Sequence, residues 1–164
     1  MEATRVIVVG WNQYVEKLYT FDPILRACSQ IIDKPFKLSA LHARSVFPNG
    51  GEQGLHVDID ADAEGFPLVG FFYTVDDFTA DNGATRFVPC SHKWSARNAA
   101  SVEQLTVTAI GRAGSVIIFN GSVLHGHSAN RTEKLRRSIQ GFYIRDSMKP
   151  AMRVPVDVEY ENVQ

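Results

Sequence analysis

At 164 residues, with 45% hydrophobic and 21% charged side chains, the chain has the length and balance of one globular domain that buries its own core without staples. Its formal net charge of −1 provides neither a basic field for nucleic acid nor an acidic tail for a basic partner. Two cysteines, Cys28 and Cys90, are too few for a disulfide framework and are expected to be reduced thiols in a cytoplasmic protein.

The apolar stretch Val6 to Gly10 is too short for a signal-peptide core or a membrane span, so no membrane partner is expected. Val6–Val9 reads as a short β run. From Ile24 to Ile32, apolar residues at 24, 25, 27, 28, 31 and 32 place one face of a helix, with Asp22 as N-cap and Pro23 at the first helical position. Lys37–Phe47 alternates like a strand and ends in the turn Asn49-Gly50-Gly51, which is not a phosphate loop because no helix and no Lys-Ser/Thr follow it. Further strands are expected at Leu68–Val75, Thr85–Val88, Leu105–Ile110, Ser115–Asn120 and Ser138–Ile144. Turn signals at Asn82-Gly83, Gly111, Gly114 and Asn120-Gly121 separate them. Room for a second short helix remains only at Trp94–Ala100 and Val102–Gln104. The tail after Pro150 reads as an extended segment at a sheet edge. Many short strands and little helix point to an all-β sandwich or barrel with a minor helix.

His56-Val57-Asp58 presents an imidazole and a carboxylate on one strand face, since residues i and i+2 share a side. On spacing alone this is a weak signal, because a histidine beside an aspartate is usually solvated. His125-Gly126-His127 follows a strong β run through a turn, and a third ligand there would complete two histidines and one carboxylate, a facial set that leaves metal positions open. Arg136 stands eleven residues after His125 on the next strand, with Ser138 on the same face. A guanidinium clamps a carboxylate through two parallel N–H bonds, and a neighbouring hydroxyl adds a third.

With these residues in place, the sequence resembles the phytanoyl-CoA dioxygenase-like branch of the iron(II)/2-oxoglutarate-dependent oxygenases. The resemblance is carried by His56-Val57-Asp58, Asp81-Asn82-Gly83-Ala84-Thr85, Pro89-Cys90-Ser91-His92, His125-Gly126, Asn130 and Arg136, in order, over roughly residues 36–145. It implies a single domain, 1–164, with a double-stranded β-helix (jelly roll, cupin-like) core at 36–145. A short strand and helix at about 1–35 would precede the core, and an extension at 146–164 would follow it. It also implies Fe(II) held by His56, Asp58 and His125, and 2-oxoglutarate as co-substrate with its distal carboxylate on Arg136, assisted by Ser138. The implied reaction hydroxylates a small organic substrate while 2-oxoglutarate becomes succinate and carbon dioxide. Related halogenating enzymes lose the carboxylate ligand that Asp58 retains, which favours hydroxylation.

The chain departs from the family pattern twice. Cys90 stands where the family usually has glycine, and is expected to pack as a small hydrophobe. Only about 35 residues precede the first barrel strand, so either the domain is trimmed or another chain covers that sheet face. The second alternative implies a homodimer.

Other residues carry weaker signals. His127 competes with His125 as the ligand. His42 and Arg44 alternate on a strand beside the site, and Gln53 precedes the first motif by three residues. Tyr73 and Thr85 suit core packing better than co-substrate binding. His92 reads as a turn residue, and Trp94 as a pocket wall or a cap on the core. Three rival readings stand beside the oxygenase: a metal-binding cupin-type ligand-binding module without oxygenase activity, a zinc hydrolase, and a protein decayed from an oxygenase. The carboxylate clamp at Arg136 argues against the first, the lack of a placed general base against the second, and the intact ligands against the third.

Overall fold

The structure, a computed structural model, describes residues 4–8, 13–95 and 102–150. Val9, the segment 96–100 that belongs to an expected short helix, and the tail after Pro150 lie outside the described residues. In chain order the elements are β1 (Thr4–Val8), α1 (Gln13–Tyr19), α2 (Asp22–Ile31), β2 (Phe36–Val46), β3 (Gln53–His56), β4 (Leu68–Thr74), β5 (Thr85–Phe87), β6 (Val107–Thr108), β7 (Val116–Asn120), β8 (His125–His127) and β9 (Arg136–Arg145). A five-stranded sheet runs β1-β2-β9-β4-β7 and a four-stranded sheet β3-β8-β5-β6, with every strand pair antiparallel. Aromatic side chains bridge the two sheets: Phe119 of β7 meets Phe87 of β5 at 5.4 Å and His125 of β8 at 4.9 Å between ring centroids. This is the double-stranded β-helix that the sequence led us to expect.

Period-2 alternation divides each strand of the large sheet between two environments. The outward residues Leu41, Val69, Phe71 and Tyr143 form a core with Ile24, Cys28 and Ile32 from the α2 region. The inward residues Phe72, Phe78 and Ala84 form a second cluster, flanked by Phe87, Ile117 and Phe119.

Helix α2 starts one residue earlier than expected. Phe21 is its N-cap, without a side-chain capping bond, and Asp22 lies inside the first turn beside Pro23. There Asp22 pairs with Arg26 at 2.7 Å, the i,i+4 spacing, rather than capping the helix. Helix α1 has no counterpart in the sequence reading. Its seven residues show too little periodicity to register, and tertiary contacts hold it. Tyr73 Oη donates to Leu18 O at 2.8 Å and Tyr143 Oη donates to Tyr19 O at 2.6 Å, satisfying carbonyls that a helix end leaves open. The outer sheet face thus packs against this chain's own helices.

Two strands were shorter than the sequence reading could resolve, and one was over-read. Strands β3 and β8 have four and three residues. The expected strand Leu105–Ile110 shrinks to the two residues of β6, because Glu103–Leu105 form a 3-10 turn. Cys90 does not pack as a small hydrophobe; it is exposed, with φ at +63°, in the left-handed region that favours glycine. Among the described residues no helix is long and apolar enough to cross a membrane.

Candidate metal centre

His56 at the end of β3 and His125 at the start of β8 are directly paired across the ladder, with ring centroids 4.5 Å apart. That pairing depends on Gly126. A Cβ there would lie 2.5 Å from Gln53 O and 2.9 Å from Gly54 O, so only glycine lets β3 approach β8 so closely. Asp58 does not share a strand face with His56 as expected, because β3 stops at His56 and Asp58 lies in a bend beyond it. A different device brings it to the histidines. The backbone N–H groups of Asp58 and Ile59 donate to Gly121 O at 3.0 and 3.3 Å, and Ser122 Oγ donates to Ile59 O at 2.8 Å.

Asp58 Oδ1 lies 3.9 Å from His56 Nε2, and Oδ2 lies 3.7 Å from His125 Nε2. One donor atom from each of the three residues falls within 4.8 Å of the others. Donors of a facial set on bonds of ~2.1 Å stand roughly 3 Å apart, so a modest contraction would close them on a divalent cation. The imidazoles are oriented for this role. Nδ1 of His56 is 3.0 Å from Gly54 O and Nδ1 of His125 is 3.0 Å from Val123 O. Each Nδ1–H donates to its carbonyl, which leaves the Nε2 lone pair free to ligate. Burial, opposed by Asp58, lowers the His125 pKa and favours the neutral ring that a metal requires. Burial raises the Asp58 pKa, and His125, His56 and Arg44 oppose that shift.

His127 lines the same cavity but stands outside the three-donor cluster, and its Nδ1 is 3.0 Å from Ser128 O. Burial lowers its pKa to about 4, so the ring is neutral at pH 7.

Arg136 is 1% exposed and reaches into this cavity of about 190 Å³. Its Nη2–H donates to Gly83 O at 2.5 Å and its Nη1–H to Ser138 Oγ at 3.4 Å, and the guanidinium lies 4.4 Å from the centre of the Phe78 ring. Among the described residues no carboxylate pairs with it, and Nε has no partner. Burial first, then Arg44, lower its pKa to about 9 against the opposing pull of Asp76, so it remains a cation at neutral pH. A buried cation without a counter-charge is costly, and an anionic ligand would relieve that cost.

Ser138 is buried beside Arg136. Arg44 and Gln53 line the cavity as a pair, with Nη2–H of Arg44 donating to Gln53 Oε1 at 3.1 Å. His42 and Thr85 also face it. Tyr73 faces the helices instead, and neither His92 nor Trp94 lines the cavity; His92 packs edge-on against Phe66 at 5.6 Å. The sequence reading missed Gln140 and the aromatic walls Phe72, Phe119 and Phe142. The available signal was the alternation that continues from Arg136 and Ser138 to Gln140 and Phe142 on the same face of β9.

A family model described as Phytanoyl-CoA dioxygenase (PhyH) matches residues 20–138. Dioxygenase sphC of Aspergillus fumigatus (strain CBS 144.89 / FGSC A1163 / CEA10) is 35% identical over 98 residues, covering 60% of this chain and 27% of its own length. Multifunctional dioxygenase prhA of Penicillium brasilianum is 29% identical over 177 residues, covering 92% and 57%. The chain thus spans about a quarter of the sphC protein. Among solved structures, HygX from Streptomyces hygroscopicus with nickel, 2-oxoglutarate and hygromycin B bound superimposes with a TM-score of 0.76 at 15% identity, covering 93% of this chain and 74% of HygX. The non-heme alpha ketoglutarate dependent epimerase SnoN from nogalamycin biosynthesis gives 0.70 at 19% identity, covering 87% and 61%. These two likenesses show a shared fold.

Proposed function

The chain belongs to the phytanoyl-CoA dioxygenase family, and from that premise we propose that it is a mononuclear non-haem iron(II) oxygenase that uses 2-oxoglutarate to hydroxylate a small organic substrate. The observation that carries this reading is the convergence of His56, Asp58 and His125 in one cavity with the carboxylate-free Arg136. HygX, on the same fold, binds nickel and 2-oxoglutarate.

His56, Asp58 and His125 would hold Fe(II) through two neutral imidazoles and one carboxylate. Held there with 2-oxoglutarate, iron(II) would supply the activation of dioxygen, one oxygen atom going into succinate as the keto-acid loses carbon dioxide and the other into a substrate C–H bond. The residues do the positioning. Gly54 O and Val123 O keep the two rings turned with Nε2 inward, and Gly121 O fixes the Asp58 loop. Arg136 offers the cation for the distal carboxylate of 2-oxoglutarate, with Ser138 bracing the guanidinium. Phe72, Phe119 and Phe142 keep the cavity walls apolar and limit water around the reacting carbon. We read residues 1–164 as a single oxygenase domain working in the cytoplasm, where its free cysteines Cys28 and Cys90 would stay reduced.

Succinate production measured by mass spectrometry tests this reading. With Fe(II), ascorbate, oxygen and 2-oxoglutarate, the protein should form succinate slowly even without its substrate. Asp58→Ala should abolish that turnover while changing the stability of the metal-free protein by no more than about 0.5 kcal/mol. Equal rates from both proteins would remove the triad from the mechanism. Iron binding without succinate from the unaltered chain would instead favour a cupin-type binding module.

A further inference from the structure

The cavity holds a second arginine with an open end. Arg44 on β2 and Arg136 on β9 share the inward face of the large sheet, Arg44 lying opposite Ser138 in the β2–β9 register and so one diagonal step from Arg136. Like charges at that spacing repel. Among the described residues, neither guanidinium is paired with a carboxylate.

Their anchors draw the two apart. Arg136 is tied to Gly83 O at 2.5 Å. Arg44 Nη2–H donates to Gln53 Oε1 at 3.1 Å, on β3 of the other sheet and three residues before His56. Burial lowers the Arg44 pKa and Asp58 opposes that, whereas the acid that opposes burial at Arg136 is Asp76. Arg44 is thus the arginine nearer the candidate metal centre. It is half-buried. Its Nε is enclosed, but Nη1, also without a partner among the described residues, is not, so the tip of the guanidinium is open to a ligand in the cavity.

The charges of the filled site identify that ligand. Among the described residues, the charged side chains lining the cavity are Arg44, Arg136 and Asp58. Burial keeps His42 and His127 neutral, and metal-bound imidazoles are neutral. Fe(II) brings two positive charges and 2-oxoglutarate two negative ones. A site filled with both therefore keeps the one positive charge by which the arginines exceed Asp58. Between the apolar walls Phe72, Phe119 and Phe142 that excess is costly. 2-Oxoglutarate has no carboxylate left for Arg44, since one goes to Arg136 and the other, beside the keto group, suits the metal. We propose that Arg44 docks a carboxylate of the substrate, which is therefore a small organic acid whose apolar body lies against the phenylalanine walls. This inference rests on the oxygenase reading above, and it makes Arg44 a specificity-determining residue.

The test is saturation-transfer NMR on the chain loaded with diamagnetic zinc and excess 2-oxoglutarate, titrated with cyclohexanecarboxylate or with the uncharged cyclohexanecarboxamide. At neutral pH the carboxylate should bind about tenfold or more tighter than the amide, with 2-oxoglutarate still bound. Arg44→Gln should weaken carboxylate binding by about tenfold or more, the scale of one charge-assisted hydrogen bond, and leave the amide unchanged. Arg44→Lys, which keeps the charge, should recover much of the loss. In Arg44→Gln, 2-oxoglutarate should lose no more than about fivefold, the effect of a charge across the cavity rather than of a bond. Equal binding of carboxylate and amide, binding of neither, or an equal loss of both in Arg44→Gln would overturn the role of Arg44. So would a carboxylate that displaces 2-oxoglutarate, or a 2-oxoglutarate loss in Arg44→Gln as large as the carboxylate's, which would assign Arg44 to the co-substrate. Each of these leaves the metal reading standing. Failure of 2-oxoglutarate to bind in a zinc-dependent way would remove the oxygenase reading on which the proposal rests.

Discussion

At the scale of single residues, the informative groups are those whose surroundings make sense only with a ligand. Arg136 is the clearest, a buried cation bonded to one backbone carbonyl and one hydroxyl and to no carboxylate among the described residues. Arg136→Lys would keep the charge but lose the planar fork, so 2-oxoglutarate affinity should fall by at least tenfold, read by calorimetric titration of the metal-loaded protein. An unchanged affinity would place the clamp elsewhere. The two thiols make the opposite pair. Burial pushes the Cys28 thiol up to about 12, whereas Cys90 is exposed. Iodoacetamide at neutral pH should therefore label Cys90 alone, with Cys28 reacting only on unfolding, as counted by intact mass. The left-handed backbone at Cys90 also predicts that Cys90→Gly raises stability by up to about 1 kcal/mol in denaturant melts, because relief of strain outweighs glycine's extra freedom in the unfolded chain.

At the scale of elements, legibility followed length and period. Strands β2, β4, β7 and β9 were readable because seven-residue runs such as Leu68–Thr74 display β-branched and aromatic residues clearly. Strands β3 and β8 were not, since four or three residues containing glycine and histidine carry no propensity of their own. They form because the rest of the barrel brings them together. The three residues of the candidate centre were legible by type and order, but the reason Asp58 belongs with His56 was not. It is held by the carbonyl of Gly121, more than sixty positions away, which no local pattern reports. Helix α1 was hidden for the same reason, its end being fastened by Tyr73 and Tyr143 from distant strands. The close approach of β3 to β8 makes a sharp prediction. Gly126→Ala would drive a methyl group into Gln53 O and Gly54 O, so the strands must part. Stability should drop by about 1–3 kcal/mol in denaturant melts, and affinity for Fe(II) should weaken with it. A variant that melts like the unaltered protein and binds iron equally would show that the ladder yields without cost.

At the scale of the whole molecule, two aspartate–arginine pairs brace the barrel and set its acid limit. Asp76 accepts from the backbone N–H and the guanidinium of Arg137 at 2.8, 2.9 and 2.7 Å, and Arg137 holds its carboxyl below the usual carboxylate range. Asp62 is held down likewise by Arg145, at 2.9 and 3.0 Å. A carboxylate with a folded pKa depressed below its unfolded one contributes stability that is present above the unfolded value, near 4, and is lost as pH falls through the folded value. Melting temperature should thus be flat near neutrality and decline below about pH 4. Asp76→Asn should lower it at neutral pH and shallow the acid slope. A slope identical in the variant would assign the acid loss to other carboxylates.

The division of tasks between the two sheets has a consequence for how such a protein can change over evolutionary time. The histidines of the candidate metal centre sit on the small sheet, each steered by a carbonyl two residues upstream, His56 by Gly54 and His125 by Val123. His42, Phe72, Phe119 and Phe142, which shape the space in front of them, all belong to the large sheet. Mutations at those four positions therefore fall on strands that carry neither His56 nor His125. Drift at these walls is thus separable from drift at the histidines, so a lineage built on this plan can alter what the wall admits while the His56–Asp58–His125 cluster stays constant.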